Sequence, residues 1–282
     1  MTKRDNKFMR KDNHLLTRVF TSICLIAAIL VGIFALPQWL WGLVLLAPIA
    51  IAAFEYSRLF GWKKWLRVGF VATVICLCLP PFMLLNQFTQ VIGLIGVVVS
   101  WVAVLFWMLL VPCLIRYRVQ TGNHLYNAMI GILVIVPAWF AMVALHPKPY
   151  VLLAVLVGVW LVDISGYFVG RKFGKIKLLP SVSPGKTCEG VLGGFVVICV
   201  YGLSLSLIFD NNFSITDLSL FIVIVVGFVA ICVLGDLFES HLKRNAGSKD
   251  SGSILPGHGG LLDRVDSMIA LLPFSFLVIQ IF

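Results

Sequence analysis

Charge is what this 282-residue sequence has least of: Asp and Glu number 12, Lys and Arg 22, together 12% of the chain against 60% hydrophobic residues. A soluble fold of this length needs far more polar surface to cover its core. The scarcity therefore excludes that class, and a mean hydropathy of +1.03 agrees with a membrane protein. A cysteine framework is missing too. The seven cysteines (Cys24, Cys76, Cys78, Cys113, Cys188, Cys199, Cys232) are scattered, with no C-x-x-C and no Cys/His group at zinc spacing. That leaves them as small packing residues. A complete P-loop is lacking as well. Gly185, Lys186 and Thr187 match the end of G-x-x-x-x-G-K-[ST], but Pro180 stands where the first glycine belongs and no strand is expected before it.

What the chain does have is apolar runs, nine of them: 19–36, 39–54, 68–85, 91–115, 126–145, 150–169, 191–209, 218–238 and 265–282. Each lies near the ~20 residues that cross a bilayer as a helix; the second is the shortest. The first resembles a signal peptide in outline, but it is long enough to span and shows no small-residue cleavage site, so a retained helix is expected. Basic residues test the count. With the N-terminus placed in the cytoplasm, 21 of the 22 Lys and Arg fall on the inner side and only Lys148 outside. The net charge of +10 is then the cytoplasmic fringe rather than a nucleic-acid surface. The expected fold is all-α and polytopic, with about nine spans and the N-terminus cytoplasmic. It divides into a five-helix scaffold (1–145) and a four-helix catalytic half (146–282). The apolar runs of the first half contain no Asp, Glu, Lys or Arg, apart from Glu55 at the inner end of the second.

The scarce charge is concentrated in 236–267, which holds five of the 12 acids, two of the five histidines and four of the 22 basic residues. Asp236, Glu239, Ser240 and Lys243 fall on one helix face. A glycine-rich loop follows, and Asp263 and Asp266 open the last helix at i, i+3. Asp236, Asp263 and Asp266 suit a hard divalent cation such as Mg²⁺, whose usual company is carboxylates and substrate phosphates. Lys243, Arg244, Lys249 and Arg264 would face those phosphates. His258, in the Pro256–Gly260 turn, is open between turn residue, phosphate donor and acid–base group. Upstream, Ser183, Lys186 and Thr187 offer donors and a charge ahead of a helix N-terminus that favours an anion. Asp163 is an intramembrane carboxylate, which faces either a cavity or a structural partner such as Arg171 or Lys172. Glycines at 166, 170, 190 and 194 permit close helix approach, within one chain or in a homodimer.

These residues have a family resemblance. S-x-L-K-R-x-x-x-x-K-D-x-G-x-x-L-P-G-H-G-G-x-L-D-R-x-D, from Ser240 to Asp266, resembles the signature of the phosphatidate cytidylyltransferases (CDP-diacylglycerol synthases). Gly170–Leu178 and Ser183–Gly190 are similar to that family's upstream loop. Cys188, Ser181 and the 163–167 stretch depart from its pattern. The resemblance implies that CTP and phosphatidate give CDP-diacylglycerol and pyrophosphate, in a bacterial inner membrane. It implies Mg²⁺, with a second monovalent or divalent cation left open. Asp236, Lys243, Arg244, Asp263 and Asp266 would be catalytic, with metal on Asp236, Asp263 and Asp266. Ser183, Lys186, Thr187, Ser240, Lys249, His258 and Arg264 would bind substrate. The rivals are a CTP-dependent lipid-alcohol kinase and a transporter. A transporter would place its polar residues near mid-membrane in broken helices, whereas here they gather at one face.

Overall fold

The computed structural model describes residues 21–84, 89–119, 122–209, 215–254 and 259–281. Its helices are α1 (Thr21–Ala35), α2 (Gln38–Val44), α3 (Leu46–Leu59), α4 (Lys64–Leu84), α5 (Thr89–Leu105), α6 (Val111–Arg116), α7 (His124–Leu145), α8 (Pro149–Phe173), α9 (Cys188–Phe209), α10 (Ile215–Asn245) and α11 (Leu262–Ile281). A π-helical turn, Phe106–Leu110, joins α5 to α6. Local chemistry sets several starts. Pro37 separates α1 from α2. The Asn123 side chain caps α7 by accepting from the amides of Leu125 and Tyr126. Pro149 sits in the first turn of α8.

Among the described residues, seven helices are long and apolar enough to cross a membrane. They are Gln38–Leu59 (α2 running into α3), Gly93–Arg116, His124–Leu145, Pro149–Phe173, Cys188–Ile208, Leu218–Asn245 and Leu262–Ile281. The α1 helix is described over Thr21–Ala35 only, and is shorter. Large apolar side chains face outward along these helices: on α9 alone, Leu192, Val196, Val200, Leu207 and Ile208 are exposed. A protein that meets water on all sides would hide them; one that meets lipid has no reason to.

A single buried core crosses residue 145. It includes Trp107, Ile135 of α7, Leu152 of α8, Ile231 of α10 and Leu271 of α11. The α11 helix is central, packed against α10, α7 and α5. The α8–α9 pair packs closest, and glycines make this possible. A Cβ on Gly190 would lie 2.7 Å from the Gly166 carbonyl oxygen and 3.3 Å from Gly170 Cα.

The all-α expectation needs one amendment. Between α8 and α9 the chain forms a short antiparallel hairpin, β1 (Lys177–Leu179) with β2 (Ser183–Thr187). Gly185, Lys186 and Thr187 are therefore extended strand and form no phosphate-cradling loop. The α10 helix has 31 residues. At 1.5 Å per residue it is about 46 Å long, well beyond ~30 Å of hydrocarbon. Its last turns carry polar residues that lie beside the hairpin.

Candidate active site

The C-terminal turns of α10 are held by aromatic packing. Phe238 meets Phe106 and Trp107 of the π-helical turn edge-on, with ring centroids 6.1 and 5.5 Å apart. This aims the adjacent Glu239, and with it Asp236 one turn earlier, toward α11. There Asp266 completes a group: carboxylate oxygens of Asp236, Glu239 and Asp266 all lie within 4.8 Å of one another. Asp266 Oδ1 accepts from the Ser267 amide at 2.8 Å. Glu239 is buried, and its Oε2 is ion-paired with Lys243. Three carboxylates this close, one of them buried, offer the all-oxygen donor set that fits a hard cation.

Lysines face this group from both sides. Lys186 Nζ, from β2, stands 2.6 Å from Asp236. Lys243 Nζ lies 2.5 Å from Glu239 and 2.7 Å from Asp263. Ser240 donates to Asp236 at 3.3 Å. The site residues come from α10, α11 and the hairpin, and Arg244 fastens the last of these. Its Nε donates to the Val182 carbonyl at 3.3 Å.

Asp263 is held by the loop backbone and by Lys243. Its Oδ2 accepts from the amides of Ser251 (3.0 Å) and Gly260 (2.9 Å), while the shortest partner of Oδ1 is Lys243. It ties Ser251 and Gly260 to the start of α11. Gly259, at φ +85°, makes the turn into it in the left-handed region that favours glycine.

Thr187 also has a local duty. It is buried, and its hydroxyl accepts from the Gly190 amide at 3.1 Å, capping α9. Glu189 reaches back across the hairpin to accept from the Ile176 amide. The α9 N-terminus is thus partly satisfied by its own chain. Ser183 starts β2 and is half-buried; Lys249 and Arg264 are exposed. His258 lies outside the described residues.

Asp163 forms no ion pair with Arg171 or Lys172 among the described residues. Arg171 instead donates to Tyr167. The Asp163 carboxylate looks toward the site: Ser267 Oγ is 3.4 Å away, and Lys186 and Asp236 lie within electrostatic range. Its side chain is exposed, and Asp236 is 31% exposed, so the flank between α8 and α10 is open.

Two acids reach the site that the candidate residues did not include. Glu239 was visible on the Asp236 face at i+3, so spacing alone could have nominated it. Glu55, from α3, accepts from the Leu262 amide at 2.8 Å and from Ser251 Oγ at 3.3 Å. Its only sequence signal was being an acid at the inner end of an apolar run.

The sequence model described as "Cytidylyltransferase family" matches residues 16–282. A phosphatidate cytidylyltransferase of Pseudomonas aeruginosa is 36% identical over 263 residues, covering 91% of this chain and 93% of that protein. The one from Haemophilus influenzae is 34% identical, covering 91% and 96%. The one from Bacillus subtilis is 31% identical, covering 95% and 97%.

Proposed function

Because the chain belongs to the cytidylyltransferase family, we propose that it transfers the cytidylyl group of CTP to phosphatidate, giving CDP-diacylglycerol and pyrophosphate. The observation that carries this is the Asp236–Glu239–Asp266 group faced by Lys186 and Lys243. It is an acid-and-lysine site at the end of a helix too long for the bilayer.

A phosphate oxygen of phosphatidate attacks the α-phosphorus of CTP, and the bond from that phosphorus to the β-phosphate oxygen breaks, releasing pyrophosphate. The nucleophile is already anionic, so no strong general base is needed. Two polyanions must nevertheless meet. Lys186, Lys243, Arg244, Lys249 and Arg264 offset that repulsion and hold phosphates in line. Ser183 and Ser240 donate hydrogen bonds. Thr187 serves as the α9 cap.

Asp236, Glu239 and Asp266 would hold Mg²⁺, and Asp263 could join only through Oδ1, the oxygen now given to Lys243. The bound ion would neutralise charge developing on the transferred and departing phosphates. A second cation, monovalent or divalent, has Asp163 as a further carboxylate at the open flank.

The topology we assign has about nine spans, with the N-terminus and the site cytoplasmic and the location a bacterial inner membrane. The one-sided basic residues support it. The first 145 residues act mainly as scaffold, and phosphatidate enters laterally between α8 and α10. A homodimer is compatible with this arrangement, and nucleic acid has no part in it.

The test is purified protein in detergent with phosphatidate, Mg²⁺ and CTP labelled in the cytosine. Label should pass into the lipid extract. No label with every component supplied would overturn the reading. CDP release with an unlabelled phospholipid product would point to a lipid kinase.

A further inference from the structure

Glu55 stands out against the half of the chain it belongs to. It is fully buried, at 0% exposure, on a helix otherwise built for packing. Removing a carboxylate from water costs several kcal/mol unless the protein satisfies it. What satisfies it here comes from the far end of the sequence, 207 and 196 residues away: the Leu262 amide at 2.8 Å and Ser251 Oγ at 3.3 Å. Leu262 is the first residue of α11, so its amide has no partner inside the helix. Glu55 supplies that partner and places a negative group at the positive end of the helix dipole.

The fit around it is close. A Cβ on Gly260 would lie 2.8 Å from Glu55 Oε2, and one on Gly252 would lie 2.7 Å from Glu55 Cδ. Both glycines are therefore needed for the loop backbone to reach the carboxylate. Ser251 is held at both ends, its amide by Asp263 and its hydroxyl by Glu55. Ser251 is thus pinned between two acids, which also hold the amides of Gly260 and Leu262. Through these bonds the start of α11, and so Asp263 and Asp266, is set against Lys243 and Glu239.

We propose that Glu55 is a positioning residue for the transfer reaction, fixing Ser251 and Gly252 against the start of α11 at Gly260–Leu262 so that the α11 carboxylates meet those of α10. It touches neither substrate, and it acts by accepting two hydrogen bonds. Its other oxygen, Oε1, has no hydrogen-bond partner. The amide of glutamine would sit on that side as a buried donor without an acceptor, while its carbonyl keeps both bonds. The proposal rests on the cytidylyl-transfer reading for its kinetic part only.

The test uses the full chain, purified, as wild type, Glu55→Ala, Glu55→Gln and Ser251→Ala. Each is assayed for kcat and KM and for hydrogen exchange of the loop amides. Glu55→Ala should lower kcat about 30-fold or more, the equivalent of two bonds to a charged acceptor. KM for phosphatidate should hold within about threefold, because the proposed lipid entry lies on the far flank. Exchange at Ser251 and Leu262 should rise. Glu55→Gln should stay within about fivefold of wild type, and Ser251→Ala should fall by about 3–10-fold in kcat, having lost one bond. Near-wild-type kcat in Glu55→Ala, or unchanged exchange, would overturn the proposal. So would a Glu55→Gln as impaired as Glu55→Ala, since the charge and not the bonding would then matter. If Glu55→Ala yields no folded protein, Ser251→Ala decides, and wild-type kcat there overturns the idea. A wild type that makes no cytidylylated lipid removes the transfer reading, while the exchange data still judge the clamp.

Discussion

Two segments supply the site from the same end of the bundle, and they are held in opposite ways. The α8–α9 hairpin, residues 174–187, is fixed by backbone pairing, by glycine-permitted helix contact and by the Thr187 cap. The α10–α11 loop, described over residues 246–254 and 259–261, forms no hairpin of its own among them. It hangs on the carboxylates of Asp263 and Glu55. A segment held by many small contacts should lose function gradually as single residues change. One hung on two acids should fail abruptly.

The sharpest break is Asp263→Ala. It removes the acceptor for two loop amides and leaves Lys243, 16% exposed, facing Glu239 alone. Lost charged hydrogen bonds and an imperfectly paired buried ion imply a fall in turnover on the order of 100-fold or more. Normal membrane insertion is expected, checked by detergent extraction and chromatography. A variant keeping a third of wild-type activity would show that the loop does not depend on this anchor.

Glu239→Gln comes next, and it separates metal holding from loop holding. It keeps the shape of the side chain and leaves Asp263 with its amides, but removes one charge from the three-carboxylate group. The Mg²⁺ concentration for half-maximal rate should rise at least about 10–100-fold, the scale already seen when a partner that only orients a metal ligand is lost. A chelator should abolish turnover in both proteins. An unchanged Mg²⁺ requirement would take Glu239 out of the proposed metal set.

Gly190→Ala tests the hairpin side. Its Cβ would be 2.7 Å from the Gly166 carbonyl, so α8 and α9 must part slightly. Overpacking of this kind costs about 1–3 kcal/mol, which should lower the thermal midpoint of the detergent-solubilised protein. Turnover below that midpoint should fall by less than in Glu239→Gln. Loss of turnover with stability intact would mean that the hairpin is as brittle as the loop.

How much of this was legible in the sequence follows the same division. The 236–267 window, the i+3 spacing of its acids and the glycine spacings all describe local geometry, and the structure places Asp236, Lys186, Lys243 and Asp266 together. What escaped depends on contacts across the chain. Nothing near Glu55 in sequence says that it caps a helix starting at Leu262. Nothing near Thr187 says whether its hydroxyl serves a substrate or the Gly190 amide. The hairpin escaped because Ser-Pro-Gly-Lys-Thr reads as loop; its pairing with Lys177–Leu179 is a tertiary preference that overrides local composition.

The smallest expected effect is the most discriminating for the hairpin. Thr187→Val keeps the volume and the methyl that packs beside Gly174, but removes the acceptor for the Gly190 amide. Loss of a helix N-cap costs about 1 kcal/mol. If capping is the whole role of Thr187, this cost appears in stability and leaves KM for CTP unchanged. If the hydroxyl binds substrate, KM rises while the thermal midpoint barely moves. The burial of Thr187, at 3% exposure, favours the first outcome, because a hydroxyl that met phosphate would need to be reachable. Stability and KM therefore move in opposite patterns under the two roles, and one variant measured both ways tells whether the hairpin contributes side chains to the chemistry beyond Lys186 and Ser183 or only the frame that holds them.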